Sequence, residues 1–438
     1  MNLLLNASFK ASLIRNSIVQ FIWWVIFFPG FFSTDSFGAV QMARTGVLSN
    51  SLTASWAIYV RLFSFHGHAI ALLTIINGLV LVYAVTRLGY SLFTGKTAAL
   101  STFLITLTPL VSAMGITLWH DILMSAGLVL ISSFFINIQK NQKTYKRLLI
   151  LELIPGSMLI SFRPNGLPTL ALFAVFYICI IQKYRRNELL LITKNLMVAM
   201  ALTSIVTVFA SNVIIKQSPI NVSFAQEWMR NDISCFADSD AGKNFVEVNI
   251  PRIGSTDSWR SSLACTFLNN ALITSQERIS AERYVPSAWL TLLKQEPFFV
   301  LSTHAKRNDY LIPFPISGLP VTPFLHSNIE FKDQGIEWAF PEVAEKARVV
   351  IRLWNAGRAL FGWAGLWIAV LIGLRLFLKR ESFTPPLAMS VALVGILFVV
   401  APIPDGRYAL YVLLVGQLSL IGIVVEWAQT GSNRRPTD

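Results

Sequence analysis

The sequence predicts an α-helical polytopic membrane protein with about ten transmembrane helices and one mixed extracytoplasmic domain. Three observations carry that prediction. Hydrophobic residues make up 54% of the 438 and charged residues only 13%, with a mean hydropathy of +0.57, well above a soluble chain. About ten apolar runs approach the roughly 20 residues that a spanning helix needs. Lysine and arginine gather in alternate connections between those runs, as the positive-inside bias requires.

In chain order, the run 14–32 has Lys10 and Arg15 at its start. It is too long for a cleavable signal and lacks a small-residue cleavage site, so it is expected to stay as an anchor. Arg87 and Lys96 separate the runs 66–86 and 97–115, and Lys140, Lys143, Lys146 and Arg147 follow the run 122–138. The runs 148–162 and 168–182 are short and read as a tilted pair or a helical hairpin; Lys183, Arg185 and Arg186 come next. The run 189–211 leads into a long connection. Beyond it lie 355–377, with Arg375, Lys379 and Arg380 at its end, then 386–402, 408–427 and a tail with Arg434 and Arg435. Both termini are therefore expected in the cytoplasm. The net charge of +13 is mostly this topology signal. A nucleic-acid partner would need the basic residues on one soluble face, and they are spread over short loops.

Two outer connections are long, which divides the chain into 1–211 (an N-terminal bundle with the first outer loop 33–65), 212–350 (an extracytoplasmic domain) and 351–438 (C-terminal spans and tail). In the first outer loop, SLTASWAIYVRLFSF puts Ala57, Arg61, Ser64 and His68 on one helical stripe and Trp56, Tyr59, Val60 and Phe63 on another. An interfacial helix before the second span fits that pattern. The 212–350 connection is polar, of mixed charge, and holds Cys235 and Cys265. An even pair on the oxidising side predicts a disulfide, the alternative being two thiols too far apart to bridge. Cys179, inside an apolar run, is expected to be an inert buried thiol.

The chemistry concentrates where charges meet the ends of apolar runs, because a charge near the bilayer is expensive and marks a candidate site. Asp35 in PGFFSTDSFG is either a base at the water–lipid boundary or a helix cap among Ser33, Thr34 and Ser36. Arg163 in the RPNG turn either grips an anionic phosphate bidentately or snorkels to the interface. Arg407 in PDGRY has the same character, with Asp405 near enough to orient it, and Asp121 in WHDILM is a lone acid beside His120 in a short outer turn. His66 and His68 form a pair without a third zinc ligand. Glu152 and Lys194 lie within or near spans, to pair or to face the bundle interior, and Asn221-Val222-Ser223 is a glycosylation sequon. Nucleotide-binding, GxSxG and HExxH motifs are absent from the sequence.

In their order, PGFFSTDSFGAVQMARTG, WHDILM, RPNG, YVPSAWLTLLKQEPFFVLSTHAKRN and PDGRYALYV resemble the GT-C superfamily of integral-membrane glycosyltransferases. The resemblance implies a GT-C-like fold and transfer of a sugar from a polyprenyl-phosphate carrier to an envelope glycan or lipid acceptor. The expected setting is the extracytoplasmic face of a bacterial inner membrane. It maps the catalytic base onto Asp35. A phosphate-binding role for Arg163 and Arg407, supported by Asp121, Asp405, His120 and Arg61, agrees with it. The chain departs from the family's pattern in having one acid rather than an acidic pair in the first loop, which leaves a divalent metal cofactor open. It also reads SLTASW where relatives often show His-Pro. An O-antigen polymerase or ligase shares the compartment and would rest on outer-loop arginines. A lipid or solute transporter would instead place its charges at mid-membrane.

Overall fold

A computed structural model of the chain describes residues 7–48, 53–140, 145–184, 188–213, 216–217, 227–250, 284–308, 311, 337–401 and 406–431. Helices dominate, as they must where a bilayer offers the backbone no hydrogen-bond partner. In the N-terminal half these are α1 (Phe9–Ile26), α2 (Thr34–Thr45), α3 (Ala54–Phe63), α4 (Ile70–Leu92), α5 (Gly95–Leu107), the short α6 (Ser112–Gly115) and α7 (His120–Lys140). Next, α8 (Tyr145–Leu148) runs through a π-helical turn at Leu149–Leu153 into α9 (Ile154–Ile160), followed by α10 (Gly166–Tyr184) and α11 (Leu189–Val213).

Among the described residues, five helical segments are long and apolar enough to cross a membrane: Ile70–Leu92, His120–Lys140, Leu189–Asn212, Glu381–Val400 and Arg407–Gln429. The chain is thus an integral membrane protein by its helices. The other apolar runs also form helices, but shorter or less apolar ones, so the sequence count of about ten spans stays an expectation.

Helix α7 is the hub of the bundle, buried along almost its whole length. It packs on α4 and α9. Gly127 of α7 meets Gly156 of α9 so closely that a Cβ on Gly127 would lie 2.7 Å from the Gly156 carbonyl oxygen, the kind of approach small residues allow between spans. The π turn swings Glu152 wholly inside the bundle. There it pairs with Arg87 and accepts from Asn137 Nδ2 at 3.1 and 3.3 Å. The expectation of an interior-facing Glu152 holds, and its partner comes from α4 rather than from Lys194. Cys179 departs from expectation: it is free and exposed on α10, because Phe173 and Tyr177 take that helix's buried face.

A two-residue parallel ladder pairs Val47–Leu48 with Lys216–Gln217, tying the first loop to the chain beyond α11. Within 212–350, the described residues between 227 and 307 form a helical lobe of α12 (Glu227–Phe236), α13 (Asp240–Asn249), α14 (Val285–Gln295) and α15 (Pro297–Arg307), built around Ile233, Phe245, Val246, Val285, Leu292 and Val300. Cys235 is engaged in a disulfide; Cys265 lies outside the described residues. The chain returns through α16 (Pro341–Ala356), α17 (Arg358–Phe361), α18 (Ala364–Leu378), α19 (Thr384–Val400) and α20 (Leu410–Gly431).

One polar cluster joins the lobe to the bundle. Asp232 is fully buried, with Arg307 at 3.0 Å, His304 Nε2 at 2.7 Å and Trp289 Nε1 donating at 2.8 Å. His304 Nδ1 lies 2.9 Å from the Phe398 carbonyl oxygen, which also accepts from Asn308 Nδ2 at 3.2 Å. The lobe therefore grips the far end of α19, shortly before the segment that carries Arg407.

Candidate active site

The first loop is set by backbone stitching. Gly30 takes a φ of +123°, and any Cβ there would strike Thr74 and the Ile116 carbonyl oxygen, both at 2.7 Å. Phe31 then pairs with the loop before α7, its N–H donating to Ile116 O at 3.1 Å and its carbonyl accepting from Leu118 N–H at 2.9 Å. From the other side, Ala339 N–H donates to Phe28 O at 3.0 Å, and Trp338 packs edge-on against Phe27 and Phe31.

This stitching fixes the start of α2. Ser36 Oγ accepts from Ser33 N–H at 2.8 Å and donates to Leu118 O at 2.8 Å, while Trp119 Nε1 donates to Ser33 Oγ at 2.7 Å. The N-cap is Ser33, so the capping alternative for Asp35 falls away. Asp35 sits in the first helical turn instead, where a carboxylate suits the positive end of the helix dipole. Its side chain is 43% exposed and makes a 2.9 Å ion pair with Arg407.

The RPNG turn approaches the same place. Ser55 Oγ donates to Ser161 O at 2.6 Å and Thr53 Oγ1 to Phe162 O, so the start of α3 is pinned to the turn that presents Arg163. Arg163 forms a 2.8 Å ion pair with Asp121, both almost wholly buried. His120 is buried beside them, its Nδ1 3.9 Å from Asp121 Oδ2. Behind the turn, Trp56 stacks on Tyr59, and both rings pack on Phe162. Burial pushes the Tyr59 phenol up from its ordinary pKa, which keeps it a neutral donor to Asn77 Oδ1 at 2.8 Å.

The two ion pairs share one aromatic platform. The Arg163 guanidinium carbon lies 4.5 Å from the centre of the Tyr408 ring. That of Arg407 lies 5.2 Å from the same centre and 4.8 Å from that of Trp119. Tyr408 is buried at the head of α20, which Tyr411 secures through Ser132 of α7 at 2.6 Å. The arrangement is chemically specific. An inner pair is sealed from water, and an outer pair has an open carboxylate and a guanidinium within cation–π reach of two rings.

Of the residues singled out in the sequence, Asp35, His120, Asp121, Arg163 and Arg407 converge here. Arg61 does not: its guanidinium donates to Ala43 O at 3.1 Å, near the C-terminal end of α2, because that face of α3 packs on α2. Asp405 lies outside the described residues, and the described partner of Arg407 is Asp35. Among the described residues no three His, Cys, Asp or Glu side chains gather as a metal site, and Asp35 and Asp121 each face a guanidinium. Trp119 and Tyr408 were missed in the sequence; their signal was an aromatic next to each rim charge, in WHD and GRY.

Fold and site together define a polytopic helical membrane protein with paired charges at one end of its bundle. No family model matches the chain, and no curated protein does. Among solved structures, it is similar to the archaeal oligosaccharyltransferase AglB from Archaeoglobus fulgidus, in complex with an inhibitory peptide and a dolichol-phosphate. That match has 12% identity and a TM-score of 0.44, over 96% of this chain and 50% of that one. It is also similar to ArnT from Cupriavidus metallidurans bound to undecaprenyl phosphate, at 13% identity and a TM-score of 0.39, over 98% of this chain and 80% of that one. The chain spans half the length of AglB. Likenesses this distant establish no function.

Proposed function

We propose that the chain is a membrane glycosyltransferase that moves a sugar from a polyprenyl-phosphate carrier to an envelope glycan or lipid acceptor, at the extracytoplasmic face of a bacterial inner membrane. The observation that carries this reading is the 2.9 Å Asp35–Arg407 pair, its carboxylate 43% exposed, set against a sealed Asp121–Arg163 pair across Tyr408. In the proposed reaction an acceptor hydroxyl oxygen forms a bond to the anomeric carbon and its proton passes to Asp35. The bond from that carbon to the carrier's phosphate oxygen breaks, and its electron pair stays on the phosphate. Arg407 meets the growing charge, which is where a preorganised cation lowers the barrier most. Arg163 contributes from the same ring, held by Asp121 at 2.8 Å, with His120 buried beside that pair. The carrier lipids of AglB and ArnT agree with this donor class, but the reading rests on this chain's own residues.

Transfer from polyprenyl-phosphate-linked sugars, with the chain in nanodiscs, tests the proposal. Asp35→Asn should lower the rate by about 10²–10⁴-fold, the usual loss when a general base is removed, with the carrier still bound. Arg407→Ala should weaken carrier binding as well. Wild-type rates in both variants would place the chemistry elsewhere.

A further inference from the structure

A second cationic feature lies apart from the Asp35 site. At the C-terminal end of α2, Arg44 reaches across to the turn between α3 and α4, its Nη2 donating to Gly67 O at 3.3 Å. From α3, Arg61 reaches the opposite way, to Ala43 O at 3.1 Å. Each arginine lies against a glycine in left-handed backbone. A Cβ on Gly46 (φ +70°) would meet Arg61 Nη1 at 2.7 Å, and one on Gly67 (φ +85°) would meet Arg44 Cγ at 2.8 Å. The two side chains are thus crossed and held, each with guanidinium donors beyond the single hydrogen bond described. Among the described residues no carboxylate pairs with either.

The turn beneath them is unusual. Phe65 and His66 both have positive φ, 49° and 59°, a conformation that side chains with a Cβ resist. It is held by Ser64, whose Oγ accepts from Gly67 N–H at 2.7 Å, and by Ala69 N–H on Ser64 O at 2.8 Å. The result is an outward row of Leu62, Phe63 and Phe65, exposed by 64%, 46% and 64%. The spanning helix α4 begins at Ile70. Thr74, one turn into it, donates to Pro29 O in the first loop, so this end of α4 is the end that carries the site. Apolar side chains beside arginines that no described carboxylate pairs with, at the mouth of a span, match the lipid–water boundary, where tails and phosphates lie within one side chain's reach.

We infer that Arg44 and Arg61, with Leu62, Phe63 and Phe65, bind the phosphate and upper acyl chains of a bilayer phospholipid. Arg44 lies nine residues beyond Asp35 on the same helix, about 13 Å along its axis. The lipid is an anionic phospholipid, because two guanidiniums favour a headgroup without its own ammonium. The inference does not rest on the transferase reading.

The test is lipid retention by the full chain in detergent, read by native mass spectrometry during titration with phosphatidylglycerol, phosphatidylcholine or inorganic phosphate. The wild type should hold one phosphatidylglycerol in preference to phosphatidylcholine, and inorganic phosphate should not displace it. Arg44→Gln with Arg61→Gln should weaken retention at least about tenfold, as loss of two charge-assisted contacts implies. Phe65→Ser with Leu62→Ser removes side chains that are each 64% exposed and should weaken it too; this arm stands if the arginine variant does not fold. Unchanged retention in either double variant overturns the inference, as does displacement by inorganic phosphate, which would mark a soluble-anion site.

Discussion

The two ion pairs of the site predict opposite consequences for the same chemical change. Asp121 is 1% exposed and Arg163 6%, at 2.8 Å. Asp121→Asn keeps the shape but leaves a buried guanidinium without its counter-charge, which typically costs about 3–5 kcal/mol. Asp35 is 43% exposed, so water screens its pairing with Arg407, and such pairs contribute about 1 kcal/mol or less. Its place in the first turn of α2 adds about 0.3–1 kcal/mol through the helix dipole. Asp35→Asn should therefore destabilise by no more than about 2 kcal/mol. In transfer it should be at least as damaging as Asp121→Asn, losing about 10²–10⁴-fold. Thermal and denaturant unfolding in detergent, followed by tryptophan fluorescence, measures the first quantity, and single-turnover transfer in nanodiscs the second. If Asp35→Asn unfolds the protein as readily as Asp121→Asn while transfer continues, the division into a structural inner pair and a reactive outer pair is wrong.

Arg163→Lys should lower transfer at least about tenfold although the charge stays, because an ammonium cannot reproduce both the pairing with Asp121 and the guanidinium's contact with the Tyr408 ring; the transfer rate at saturating carrier reads it. Asp232→Asn should loosen the lobe of α12–α15 by up to about 3–5 kcal/mol, since it removes the carboxylate that the fully buried Arg307 shares with His304. Hydrogen exchange in α12, α14 and α15 should rise while the core of α7 stays protected. In a Cys179→Ala background, Ser287→Cys on the exposed face of α14 should react with a membrane-impermeant maleimide in intact cells; labelling only after lysis would invert the proposed topology.

Much of the bundle was legible because apolar runs and basic loops are long-range signals that survive tertiary packing. The convergence of Asp35, Asp121, Arg163 and Arg407 was legible for a related reason: a charge at the rim of a span has few other uses. Who pairs with whom was not. Asp35 and Arg407 stand 372 residues apart, and nothing local to either announces their 2.9 Å pair; Asp405 lies outside the described residues. The meeting of Glu152 with Arg87 depends on a π turn at Leu149–Leu153, a one-residue change of register that leaves hydropathy untouched. Arg61 and Ala57 share α3, but the helix ends at Phe63, so Ser64 and His68 leave the expected stripe, and a stripe does not reveal what packs against it: Arg61 reaches the end of α2. The run 122–138 looked like any other span; only packing identifies it as the central one. The resemblance to GT-C enzymes organised the motifs, while the aromatic platform came only with the fold.

Tyr408 is where the parts meet. Its ring lies against both guanidiniums, it heads the helix that Tyr411 secures to α7 through Ser132, and Asp121 occupies the first turn of that same α7. The inner pair is thus fixed to the most buried helix of the bundle, where an ion pair is rigid because neither charge can turn to water. The outer pair has a different freedom. Asp35 already contacts solvent, so Arg407 can exchange it for another anion without stranding a buried charge. In the proposed reaction that anion is the carrier's phosphate, and its arrival would draw Arg407 away and leave the Asp35 carboxylate free to take the acceptor's proton. A site with two sealed pairs would hold its shape but exchange nothing, and one with two open pairs would exchange readily but position poorly. One of each, joined by a shared ring, lets the fold keep its geometry while its outermost charges change partners.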